Sequence, residues 1–195
     1  MLRAEHIMRL KLDRDRLLAH RQMPPPKYST KELTNQITAI GDAVIAELLD
    51  VPASTFAMQL EAARSFGTSY LMEDQERRIV GISAATSLIK SGDIIRKNVI
   101  MPRNYAWKND NLSKHYIIGV FVRGRLEDGV IPDIAEVEVA GWTDTGHLRA
   151  VTRGQQDKVL PKTFQSKLPV AILPCTDLRP IDTLVNWLNA NDVCV

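Results

Sequence analysis

The run His-Tyr-Ile-Ile-Gly-Val-Phe-Val-Arg at 115–123 constrains the fold of this chain more than any other stretch. Its apolar side chains fill both sets of alternating positions, so a strand here has no face to give to water. Such a strand belongs inside a sheet covered on both sides. Local signals supply the rest of the order. Ser29-Thr30-Lys31-Glu32 has capping-box spacing. Behind it Leu33, Ile37, Ile40, Val44 and Leu48 recur at helical intervals, until Val51-Pro52 ends the run near Asp50. A second helix is expected over 54–66, closed by Gly67. Short β-rich runs follow at 78–83 and 93–101, the latter closed by Pro102. Over 134–142, Ala135, Val137 and Val139 point one way and Glu136 and Glu138 the other. The run 170–173 reads as an edge strand, and Ile181, Leu184, Val185 and Leu188 mark a closing helix. Residues 5–21 read as a strand and a short helix that Pro24-Pro25-Pro26 ends. The stretch 143–167 reads as loop with a short helical turn. This order predicts an α/β domain of α+β sequence, a mixed central sheet flanked by helices.

At 195 residues the chain has room for one domain with a substantial core. We divide it into a basic N-terminal extension, 1–28, and a single domain, 29–195. With 45% hydrophobic and 25% charged residues, disorder, collagen-like repeats and coiled coil are excluded for the whole chain. Cys175 and Cys194 have no spacing suited to structural zinc. No apolar stretch approaches the roughly 20 residues of a membrane span, and Met1 to Leu12 lacks the apolar run of a signal peptide. A cytoplasmic setting without membrane contact is therefore expected. Charge falls in blocks: +5 over 1–31, −5 over 32–87, +6 over 88–126, −6 over 127–145 and +2 over the remainder. A basic block beside an acidic one suits a phosphate-binding groove with a carboxylate metal site, or simply solvated faces and turns. GxGxxG, P-loop, HExxH, GxSxG and EF-hand patterns are all absent.

Three stretches resemble a family of small phage and bacterial proteins of the restriction-endonuclease-like, or PD-(D/E)XK, fold. Ile40-Gly41-Asp42-Ala43-Val44-Ile45-Ala46-Glu47-Leu48-Leu49-Asp50-Val51-Pro52 is similar to that family's opening helix. Tyr105-Ala106-Trp107-Lys108-Asn109-Asp110, followed by His115-Tyr116-Ile117-Ile118-Gly119-Val120, resembles its short strand, Asp turn and apolar central strand. Ala135-Glu136-Val137-Glu138-Val139-Ala140-Gly141-Trp142 and the segment from Leu173-Pro174 to Leu178-Arg179-Pro180 resemble its closing elements. The resemblance implies a restriction-endonuclease-like core and a magnesium-dependent deoxyribonuclease acting on or binding DNA in a bacterial host. In such enzymes one acid, then an acid and a Lys two residues apart on a strand, hold Mg²⁺ and orient water.

On that reading Asp42 and Asp93 are the metal ligands, and Lys97 or Arg96 joins Asp93 in catalysis. Arg103, Tyr105, Trp107, Lys108 and Lys114 contact nucleic acid, the aromatics by stacking and the cations at phosphates. The chain departs from the pattern where it matters. Two residues beyond Asp93 stands Ile95, two before Arg96 stands Ile94, and Ser83-Ala84-Ala85-Thr86 offers no acid-x-Lys pair. This leaves two alternatives: a catalytically inert relative that binds nucleic acid or protein, and a viral structural or assembly protein. A homodimer or a protein partner stays open. Glu136 with Glu138 is either a carboxylate pair or a solvated sheet edge. His115 is read as surface or core before general base, and His147 as a loop histidine without an assignable partner. Trp142 and Trp187 are read as layer contacts.

Overall fold

In a computed structural model describing residues 2–21, 32–102, 112–126, 132–153 and 170–190, the 115–123 run is the middle strand of a five-stranded sheet. The chain begins with β1 (Met8–Asp13), α1 (Arg14–Arg21), α2 (Glu32–Leu48) and α3 (Ala53–Ser65). Then come β2 (Tyr70–Glu73), β3 (Ile79–Ile89), β4 (Asn98–Pro102), β5 (Lys114–Arg123) and β6 (Ile134–Asp144). It closes with α4 (Thr145–Arg153), β7 (Val170–Pro174) and α5 (Ile181–Ala190). The main sheet has the order β1-β6-β5-β3-β2, in which only β3 and β5 run parallel. β4 and β7 form a separate antiparallel pair. The architecture is thus the mixed, helix-flanked sheet that the order of elements implies.

Both faces of the sheet are covered. Val80, Ile82, Tyr116, Ile118, Val120 and Val122 form one core with Ile40, Val44, Phe56 and Leu184 of the helices. Ile117, Phe121 and Ala140 face the other way, onto Val99, Met101, Leu148, Leu173 and Leu178. α2 lies close against β3: a Cβ on Gly41 would come 2.6 Å from Thr86 Oγ1 and 2.9 Å from the Ala84 Cβ. β6 carries a bulge, since Gly119 pairs with Gly141 but Val120 with Val139. The extra residue lets Val139 and Trp142 enter the same core although they are three apart. At Gly141, with φ of 146°, a Cβ would strike the Arg179 carbonyl oxygen, so only glycine lets this segment pair with Trp142.

Several expectations are corrected. Within the expected extension 1–28, the described residues 2–21 do not stand outside the domain. β1 pairs with β6, Leu12 and Leu17 are in the first core and Leu2 in the second, because Met8, Leu10 and Leu12 share the apolar face of the strand. The strand expected over 78–83 continues to Ile89, and the one expected over 93–101 starts only at Asn98. Before it, Asp93 Oδ1 accepts the Ile95 N–H at 3.1 Å and caps a 3-10 turn, Ile94–Arg96. Part of the supposed loop is α4, which starts where Asp144 Oδ1 accepts the His147 N–H at 2.8 Å. The Ser29 cap lies outside the described residues.

Strand register also accounts for two of the charge blocks. Arg9 lies opposite Glu138 and Lys11 opposite Glu136, while Arg14 reaches Asp133 at 3.1 Å. Part of the first basic block thereby meets the acidic 127–145 block across the β1–β6 pair. No helix among the described residues is long and apolar enough to cross a membrane.

Candidate functional site

The sequence candidates fall into separate places. Asp42 is on α2, buried on the helix-covered side of the sheet, where Ser69 hydrogen-bonds its carboxylate and Arg64 lies near. Burial pushes its pKa up to about 7, against the opposing pull of Ser69 and Arg64. Asp93 is exposed, and the turn it caps packs through Ile94 into the core on the opposite face. The two proposed metal ligands therefore do not converge. Among the described residues, no three His, Cys, Asp or Glu side chains come together as a metal group. Magnesium, as the resemblance implies it, does not fit these residues.

β3 does not rebuild the missing motif. Ser83 and Ala85 face away from α2, and Ser83 Oγ lies 2.8 Å from His115 Nε2 and 3.2 Å from Thr68 Oγ1. Thr68 Oγ1 in turn donates to the Ile82 carbonyl at 2.6 Å. Burial pushes the His115 pKa down to about 4, so its ring is neutral near pH 7. Ser83 and His115 are 1% and 3% exposed, so this serine–histidine contact ties β3 to β5 and meets no substrate. His147 belongs to a helix, with its Nε2 buried and without a hydrogen-bond partner among the described residues. Trp142 is in the first core and Trp187 packs against it.

The basic residues that the sequence grouped as 88–126 also divide. Lys114, at the start of β5, lies over Trp187 at 5.3 Å from the ring centroid. Arg103, Tyr105, Trp107 and Lys108 lie outside the described residues. The others gather where the parallel strands end. Ile89 pairs with Arg123, and the Gly124 N–H donates to the Ile89 carbonyl at 2.9 Å. This brings Lys90 beside Arg123 and Arg125. Arg123 Nη2 donates to the Gly92 carbonyl at 3.2 Å, and the Lys97 ammonium lies 3.5 Å from where a Gly92 Cβ would be. Asp93 and Arg96 stand in the same turn. Glu138 joins from β6, with Arg9 Nε at 3.1 Å from Oε1 and Arg123 Nη2 at 2.6 Å from Oε2.

The structure thus keeps Asp93, Arg96 and Lys97 together but surrounds them with groups that the sequence reading did not assemble: Arg9, Lys90, Arg123, Arg125 and Glu138. Among the described residues, six cations there face the carboxylates of Asp93 and Glu138. The signal for Arg9 was present in the sequence, because Arg9 and Lys11 share the two-residue spacing of Glu136 and Glu138.

No protein-family model matches the chain, and neither does any curated protein or solved structure.

Proposed function

We propose that this chain binds the phosphate backbone of DNA at the C-terminal ends of β3 and β5, and does so without cutting it. One observation carries the reading: among the described residues, Arg9, Lys90, Arg96, Lys97, Arg123 and Arg125 with Asp93 and Glu138 leave four net positive charges on one end of the sheet, beside the neutral pairs Lys11–Glu136 and Arg14–Asp133. Clustered cations of this kind attract a polyanion over distances comparable to the Debye length. The resemblance to restriction-endonuclease-like proteins points to the same ligand. The separation of Asp42 from Asp93 speaks for binding without the metal chemistry that would go with it.

The test is fluorescence anisotropy with a labelled DNA duplex and the matching single strand, alongside incubation with plasmid and Mg²⁺. If each net charge meets one phosphate, affinity falls roughly a hundredfold between about 50 and 200 mM salt. EDTA should leave binding unchanged and the plasmid should stay intact. Cleavage abolished by EDTA would replace this reading with the nuclease one. Self-association with no DNA binding at low salt would replace it with the assembly-protein one.

A further inference from the structure

Glu138 is a buried carboxylate on a strand whose other buried residues are uncharged, and burying such a charge is costly unless cations compensate it. Its side chain is 5% exposed, while those of Arg9 and Arg123 are 75% and 32% exposed. Oε1 accepts a hydrogen bond from Arg9 Nε at 3.1 Å. Oε2 lies 2.6 Å from Arg123 Nη2 in an ion pair without hydrogen-bond alignment, and the same nitrogen donates to the Gly92 carbonyl. Both guanidinium groups are therefore tethered by one nitrogen each. Arg123 keeps Nε and Nη1, and Arg9 keeps Nη1 and Nη2, without a partner among the described residues.

Two guanidinium groups this close repel one another, and the carboxylate between them offsets one charge. The remaining +1 matches the single negative charge of a phosphodiester. Nη1 and Nη2 of Arg9 form a fork of the kind that binds two phosphate oxygens at once, and Arg123 adds Nε and Nη1 as single donors. We propose that Glu138 is a positioning residue, holding Arg9 and Arg123 as a clamp for one phosphodiester. This rests on the DNA-binding reading above and deepens it.

The clamp makes a prediction opposite in sign to that of simple charge. Glu138→Gln raises the net charge by one, so a diffuse basic surface would bind DNA more tightly. The clamp instead loses its tether and binds about tenfold more weakly, the scale of one displaced arginine contact. Arg123→Lys keeps the charge but loses the planar group that reaches Gly92, Glu138 and a phosphate at once, and it too should weaken binding about tenfold, with the fold checked by circular dichroism. Tighter binding by Glu138→Gln, or wild-type affinity in Arg123→Lys, overturns the clamp while leaving DNA binding in place. Should Glu138→Gln not fold, Arg123→Lys decides alone.

A second probe separates the clamp from the polymer reading. Dimethyl phosphate, titrated while the arginine Nε–H resonances are followed by NMR, should shift Arg123 saturably, and acetate should not. If DNA does not bind but this shift occurs, the clamp stands and the polymer reading falls. No shift, or an equal shift with acetate, overturns the clamp.

Discussion

Asp42 illustrates how a single residue changes meaning once its surroundings are known. In the sequence it is an acid on a helix whose apolar stripe, Ile37, Ile40, Val44 and Leu48, lies on another face. In the structure the whole turn from Ala39 to Ala46 is buried. Small residues, Ala39, Gly41, Ala43 and Ala46, let neighbouring elements approach on the second flank, and hydropathy spacing does not mark such a flank. Because burial raises its pKa from 3.8 to about 7, the folded state keeps a proton that the unfolded chain releases, and stability falls as pH rises through that window. His20 and His115, both lowered by burial to about 4, act in the opposite sense between pH 4 and 6.5. Comparing Asp42→Asn with the wild type cancels the histidines. We expect the variant to be more stable by on the order of 2–4 kcal/mol near pH 8, the gap closing towards pH 4, in urea titrations. An equal gap at both pH values would show that Asp42 is ionised when folded.

At the scale of elements, legibility tracked how closely each segment kept one period. α5 kept its stripe, with Ile181, Leu184 and Leu188 all buried, and β5 kept apolar residues on both faces. β3 was cut short because Ser83-Ala84-Ala85-Thr86-Ser87 looks polar and small. That composition is what the close passage of α2 over Ala84 and Thr86 requires. α4 was missed because only Leu148 and Val151 of its length turn to the second core. The site was partly legible. The turn with Asp93, Arg96 and Lys97 was picked out, but its partners come from β1, β5 and β6, and only the register joins them.

The same register makes β1 integral to the sheet, which can be tested directly. Leu12 is 1% exposed near the end of β1, so Leu12→Ala should cost about 2–4 kcal/mol in denaturant unfolding. A change under about 0.5 kcal/mol, the range of ordinary surface substitutions, would return 1–28 to the status of an extension.

For the whole molecule, two cores share one sheet: β3, β5 and β6 give side chains to both. Neither layer can leave without exposing the other side of the same strands. We therefore expect one transition in urea, with far-UV circular dichroism and tryptophan fluorescence coinciding. Trp142 belongs to the helix-covered core, so an earlier loss of dichroism than of fluorescence would mean that the β4–β7 layer unfolds on its own.

The pairing of β1 with β6 also sets a timetable. Arg9 meets Glu138 across 129 positions of sequence. At the usual pace of synthesis β1, once outside the ribosome, waits on the order of ten seconds for its neighbour to be made. Over that interval its backbone donors and acceptors are open to any other extended chain, including the next copy on the same message. The alternation of Arg9 and Lys11 with Leu10 and Leu12 then has a use before folding is complete: like charges on nascent strands keep them apart until the acidic strand arrives.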